Sequence, residues 1–380
     1  MSMPQPVPVR VQRKRPPVDA TLIVVLFLLL LTGLITLLSA TYYTASATAD
    51  PFGEVKRQLL GIGLGAAAML CTSRIPYRFW HQAWVVWGSL TVSFVLLGLV
   101  VIPGVGQYLN GSRRWLHIGG LSFQPSEIAK IALVLYLAET LTQMGRNVRS
   151  LWRGIVPVLL VPGLFFLLIM AQPNLSTGGS ILIVSLLMLL MAGARWKHIG
   201  LLTLAGLALG GAYAWSAPYR RERLLSFRDP FAKMSDEGYQ LSQSLIAFGS
   251  GGVFGMGLGM GRQKYAYLPY PESDFIFAIV GEDFGLIGCI AVAALFVAFA
   301  FCGIRIATAC RDKFGSLLAA GITVSITVQA FLNMGVVIGL LPTTGLPLPF
   351  FSAGGTSISI TMAAVGILMN ISRTSGKMDG

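Results

Sequence analysis

The chain has 380 residues, 54% of them hydrophobic and 11% charged, with a formal net charge of +13. A soluble domain carries roughly 25% charged residues. This composition excludes a water-soluble globular protein and implies a chain dissolved in lipid, where each crossing helix needs about 20 mostly apolar residues.

Residues 1–18 form a polar tail with prolines and Arg10, Arg13, Lys14 and Arg15, a composition of disorder. Apolar runs then predict ten helices, near residues 20–40, 58–72, 82–103, 126–143, 154–171, 178–194, 198–217, 275–303, 316–340 and 353–371. The expected fold class is all-α. It is a polytopic integral membrane protein with one transmembrane domain over 19–372, a large outer loop at 218–273 between helices seven and eight, and a tail at 373–380. The basic tail, the apolar run and the small-residue triplets near 45–49 mimic a secretory signal. The run is too long and the triplets too distant, so an uncleaved first helix is expected.

Most of the 28 basic residues fall before the first helix, in the even-numbered gaps or after the last helix. That bias predicts both termini in the cytoplasm. The outer side still carries Lys56, Arg57, Arg113, Arg114, Arg220, Arg221, Arg223, Arg228, Lys233, Arg262 and Lys264. A long loop crosses regardless of charge, which accounts for those in 218–273. It does not account for Arg113 and Arg114 in a short loop, where an anionic ligand at the outer face does. Cys71, Cys289, Cys302 and Cys310 lie in helices or on the cytoplasmic side, spaced for neither an outer disulfide nor zinc. His81, His117 and His198 form no metal spacing either.

In chain order, the first candidate is Arg113-Arg114-Trp115. Guanidinium groups suit phosphate through their planar forks, and the indole either stacks on a sugar or anchors at the interface. Glu127 and Lys130 lie three apart on one helical face. Ionisable groups inside a span face the protein interior or a wet cavity, so the pair is either a structural brace or a cavity wall. Gln172-Pro-Asn-Leu-Ser-Thr177 is a tight turn whose polar groups satisfy the turn or meet a ligand. Arg220, Arg221 and Arg223 read as phosphate ligands or lipid-headgroup anchors.

Within Tyr239–Phe248, Leu241, Leu245 and Phe248 share one face, with Gln240, Gln243 and Ser244 elsewhere. That pattern predicts a short helix in the membrane interface. The glycines between 249 and 261, interleaved with Val253, Phe254, Met256 and Met260, predict a packed loop. Asp274 opens an apolar helix. It is either an N-cap or a carboxylate whose apolar surroundings suit it to general-base work. Glu282 and Asp283 follow within the same span, where acidic neighbours share a proton or pair with a cation. The segment 342–355, which includes Ser352, is apolar but too rich in Pro and Gly for a regular helix. Irregular backbone near lipid is tolerated where it lines a cavity, so a shaped outer cavity is expected.

These segments resemble the SEDS family (FtsW, RodA and sporulation type). The resemblance is carried in order by Asn110-Gly-Ser-Arg-Arg-Trp115, Phe123-Gln-Pro-Ser-Glu-Ile-Ala-Lys130, Gln172–Thr177, Gly238–Ser244, Tyr267-Leu-Pro269, Ser273–Ala278, Asn333-Met-Gly335 and Leu341–Phe350. Gln263–Pro269 leans toward the FtsW and sporulation branch. Asn174, Ser176, the Glu272-Ser273 pair before Asp274, and Thr356 in the late Gly-rich segment depart from the family pattern.

The resemblance implies a peptidoglycan glycosyltransferase that polymerises lipid II at the outer leaflet of the bacterial cytoplasmic membrane, releasing undecaprenyl pyrophosphate. It assigns Asp274 as general base. It places Arg113, Arg114, Trp115, Glu127, Lys130, Gln172, Arg220, Arg221, Gln240, Gln243 and Ser352 around the substrate. A divalent cation (Mg2+ or Mn2+) sharing in neutralising the diphosphate fits the outer carboxylates. The implied partners are lipid II, the nascent glycan strand, a class B penicillin-binding transpeptidase and other division or elongation proteins, with no nucleic acid. Two rivals stay open, a lipid II flippase and a non-catalytic scaffold for the transpeptidase.

Overall fold

The computed structural model describes residues 18–46, 52–109, 112–118, 121–216, 221–222, 227–233, 238–265, 267–343 and 345–375. The tail at 1–17, Arg220, Arg223 and residues 376–380 lie outside them. In chain order the helices are α1 (Ala20–Ser46), α2 (Gly53–Arg74), α3 (Ala83–Val101), α4 (Pro125–Met144), α5 (Val156–Met170), α6 (Leu175–Met191) and α7 (Trp196–Trp215). The short α8 (Tyr239–Gly251) follows, then α9 (Ile276–Ala309), α10 (Lys313–Val337) and α11 (Gly355–Ser375). A long helix stands at each place where the apolar runs put one. Among the described residues, seven helices are long and apolar enough to cross a membrane: α1, α3, α4, α5, α9, α10 and α11. The fold is an all-α polytopic membrane fold.

Burial sorts the helices. About 61% of the apolar stretch of α4, α10 and α11 is buried, against 28% for α3 and α9, so the first three form the bundle's interior. Lipid tails are as apolar as leucine, so helices associate by close backbone approach and polar links rather than by hiding from water. The α2–α11 contact is built this way. A Cβ at Gly61 would lie 2.5 Å from Gly355 Cα. Thr72 Oγ1 donates across the same contact to the carbonyl of Ala363 (2.8 Å).

The short loop before α4 is a three-stranded antiparallel sheet, β1 (Gly106–Leu109), β2 (Ser112–Ile118) and β3 (Leu121–Phe123), in the order β1-β2-β3. This is a local departure from the all-α expectation. Runs of three to seven residues are too short for apolar patterning to reveal them as strands. The register has a consequence for the basic pair. Gln107 pairs with Trp115 and Tyr108 with Arg113, so Arg114 is the extra residue of a β-bulge, a device that re-aims a side chain.

Two expectations for the long loop are corrected. The polar flank of α8 does not face water, because Ser242, Gln243 and Ser244 are buried and Ser244 Oγ donates to the carbonyl of Val337 at the end of α10 (2.7 Å). The glycine-rich loop is packed through its backbone, whereas Val253, Phe254 and Met260 point outward and are more than half exposed. The backbone packs on a break in α9, where Gly285 takes φ 67° and ψ −162°. The freed helix groups exchange hydrogen bonds with the loop. Leu286 and Ile287 donate to the carbonyls of Gly252 and Val253 (2.9 and 3.2 Å), and Met256 and Gly257 donate to those of Glu282 and Asp283 (2.9 and 3.1 Å). A broken helix survives in lipid where protein satisfies its backbone in this way.

Candidate active site

Asp274 lies just before α9. The N-cap position belongs to Phe275, which makes no side-chain cap, so N-capping is not the place of Asp274. Its backbone is held from α10 instead. Asn333 Nδ2 donates to the carbonyls of both Asp274 and Leu346, each at 2.7 Å. The carbonyl of Glu272 accepts from the N–H of Ala353 (2.7 Å). Asp274 and the irregular 345–353 segment are thus bound into one unit.

The side chains converge on Gly345. A Cβ there would lie 3.5 Å from Arg114 Nη1 and 3.7 Å from Asp274 Oδ2, so the guanidinium and the carboxylate flank the same glycine. Arg114 is aimed from behind. Its Nε donates to the carbonyl of Gln172 (3.3 Å), and Nη2 to that of Pro173. Gln172 is buried, and its Nε2 donates to the carbonyl of Leu97 (3.0 Å), tying the 172–174 turn to α3. Its amide therefore positions Arg114 rather than facing a ligand.

Glu127 and Lys130 form a buried pair, Nζ to Oε1 at 2.8 Å. Ser357 Oγ donates to Glu127 Oε2 (2.9 Å), and Lys130 Nζ donates to Gln329 Oε1. Gln329 Nε2 donates in turn to the carbonyl of Pro347 (2.8 Å). Glu127, Lys130 and Gln329 line a small cleft between α4, α10 and α11. Brace and cavity wall are both true of this pair. Ile131, Val134, Ile322 and Ile326 give the cleft its apolar lining.

The other expected site residues divide. Ser352 Oγ accepts from the N–H of Leu348 (2.8 Å) and its carbonyl accepts from Gln58 Nε2 (3.2 Å), which closes the turn before α11. Gln240 Nε2 donates to the carbonyl of Pro269 (3.3 Å), fastening the approach to Asp274 onto α8. Gln243 is buried in α8. Arg113 and Trp115, paired in register on either side of the bulged Arg114, are half-exposed, and Arg221 is exposed. Arg220 is outside the described residues.

Asn333 and Gln329 receive no role from the sequence. Their signal is two amides four residues apart in an apolar helix, a spacing that puts both on one face. Burial pushes the Glu272 carboxyl above its ordinary range; its own backbone N–H pulls it partly back and Glu54 adds a further upward push. Tyr270 and Phe350, in the two loops beside Asp274, hold positive φ of 50° and 68°. Such conformations persist where the surroundings over-determine them, and they cluster at functional sites.

The FtsW/RodA/SpoVE family, described as cell cycle proteins, matches residues 19–377. Stage V sporulation protein E of Bacillus subtilis is 44% identical over 360 residues, covering 94% of this chain and 97% of that protein. A probable peptidoglycan glycosyltransferase FtsW of Geobacter metallireducens is 42% identical over 325 residues, 85% of this chain and 86% of the relative. Among solved structures, a chain from a peptidoglycan synthase complex described as coordinating polymerization and crosslinking aligns with TM-score 0.79 at 26% identity, covering 95% of this chain and 99% of that one. The rod shape determining protein RodA of Thermus thermophilus aligns with TM-score 0.69 at 26% identity, covering 95% and 98%. The order of motifs, the helical bundle and the matched span agree, and this chain belongs to the FtsW/RodA/SpoVE family.

Proposed function

We propose that this chain is a peptidoglycan glycosyltransferase, the activity in the name of its FtsW relative from Geobacter metallireducens, and that Asp274 is its general base. The observation that carries the assignment is the meeting of the Asp274 carboxylate and the Arg114 guanidinium at Gly345. Asp274 takes the proton of an acceptor sugar hydroxyl. The freed oxygen forms a bond to the anomeric carbon of the lipid-linked donor strand. The bond from that carbon to the diphosphate oxygen breaks, and undecaprenyl diphosphate leaves with the electron pair. Fixed cations placed where the departing charge develops stabilise such a step, a role for Arg114 with Lys130 below it. A divalent cation, Mg2+ or Mn2+, arriving on the diphosphate would add to that neutralisation.

This reading takes ten crossings, α2, α6 and α7 joining the seven, with both termini cytoplasmic and Asp274 at the outer face. The partner is a class B penicillin-binding transpeptidase. Purified chain with lipid II and that partner tests the proposal. Glycan strands from the native chain, and none from a folded Asp274→Asn variant, are the expected result. Lipid II translocation without strands would replace the proposal with a flippase. Partner binding with neither activity would replace it with a scaffold.

A further inference from the structure

A second ionic cluster lies away from the cleft. Lys264, counted by sequence among the outer basic residues, is buried. Its Nζ donates to Asp283 Oδ1 (3.0 Å) and to Ser39 Oγ of α1 (2.8 Å), and Ser39 also bonds Asp283 Oδ2. Beside it, Glu282 Oε1 accepts from the backbone N–H groups of Arg262 and Gln263 (2.5 and 3.0 Å). The two carboxylates close on the same backbone: a Cβ at Gly261 would lie 2.5 Å from Glu282 Oε2 and 2.9 Å from Asp283 Oδ1.

The topology gives this cluster a meaning. From Lys264 the chain runs to Asp274, turns, and returns along the start of α9 to Glu282 and Asp283. Asp274 is the tip of that hairpin, and the ionic cluster staples its base at the break in α9. Buried ion pairs are weak stabilisers but fix one register among several. Here a slip of the loop along α9 would strand Lys264 and both acids in an apolar interior, so the staple allows one depth for the tip.

We propose that the Lys264–Asp283 pair, closed by Ser39, is a positioning clamp that sets the height of Asp274 above the cleft. Neither residue touches the reacting atoms. The inference rests on Asp274 being the base, and the test keeps the two separable. The double variant Lys264→Met/Asp283→Leu removes both charges together and strands neither, so it folds. A misplacement of about 1 Å at a reacting group costs on the order of 100-fold in rate. The expected result is therefore a folded protein with kcat down by about 100-fold and KM for lipid II within about twofold. The charge swap Lys264→Asp/Asp283→Lys restores part of the rate.

A second readout does not depend on turnover. Spin labels at the exposed positions Tyr267 and Leu340, with the four native cysteines replaced by serine, report the distance from the hairpin arm to the end of α10. That distribution broadens in the double variant and narrows in the swap. A folded double variant with full kcat and an unbroadened distribution overturns the clamp. If the double variant does not accumulate, Ser39→Ala carries the test, since it strands no charge, and native rate and native distances in it overturn the clamp equally. Full activity in Asp274→Asn would instead overturn the base assignment and leave the distance result standing.

Discussion

Replacing Asn333 by leucine tests how the candidate base is held. Leucine has nearly the same length and removes both donated bonds, to the carbonyls of Asp274 and Leu346. Asn333 is 1% exposed, so water does not replace what is lost. A buried carbonyl left without a donor costs about 1–3 kcal/mol, which applies in full at buried Leu346, whereas Asp274 is only partly buried and the loss there is smaller. Part of that cost is relieved if the 345–353 segment shifts, and any shift moves Gly345 relative to Asp274 and Arg114. The expected outcome is a lower melting temperature, followed by intrinsic tryptophan fluorescence, together with a loss of lipid II polymerisation of on the order of 100-fold. Gln329→Leu is the control. It frees the carbonyl of Pro347 and one partner of Lys130 but leaves Asp274 clamped, so it destabilises comparably and slows turnover less. A folded Asn333→Leu variant with native melting temperature and native kcat would show that the amide does not hold Asp274 in place.

Other outcomes follow from the same geometry. Arg114→Lys loses the planar fork and should lower kcat by about 100-fold, while Arg113→Lys, in register beside the bulge and away from the Gly345 contact, stays within about twofold in the same polymerisation assay. Lys130→Met strands Glu127 as an unpaired buried carboxylate and should destabilise by about 3–5 kcal/mol; adding Glu127→Gln should recover much of the stability and none of the activity, read as melting temperature against strand length on gels. Glu272 has a raised folded-state pKa, so its contribution is fully present below the ordinary value of 4.5 and is lost as pH rises through the folded value. Glu272→Gln should therefore flatten the fall in melting temperature over the pH range starting near 4.5, and an unchanged slope would refute the assignment.

The sequence alone determined the solvent, the helices and the motif order. Apolar runs such as Leu22–Leu38 are long because lipid demands it, and that requirement is local, so it is legible residue by residue. Polar residues in such a chain are few, which is why Asp274, Arg114, Glu127 and Lys130 stand out from the amino-acid order by itself. Which partner each one faces is not legible there. Arg113 and Arg114 look alike in one dimension, and only the bulge in β2 sets Arg114 apart. Gln172 and Ser352 read as ligands, yet the Gln172 amide bonds the Leu97 carbonyl 75 residues away and the Ser352 hydroxyl is taken up by the turn before α11. Lys264 and Asp283 are 19 residues apart, and nothing in their spacing says they meet. Their pairing depends on the α9 break at Gly285 and on a loop folded back against it. Both are decided by long-range packing, which a local pattern does not carry.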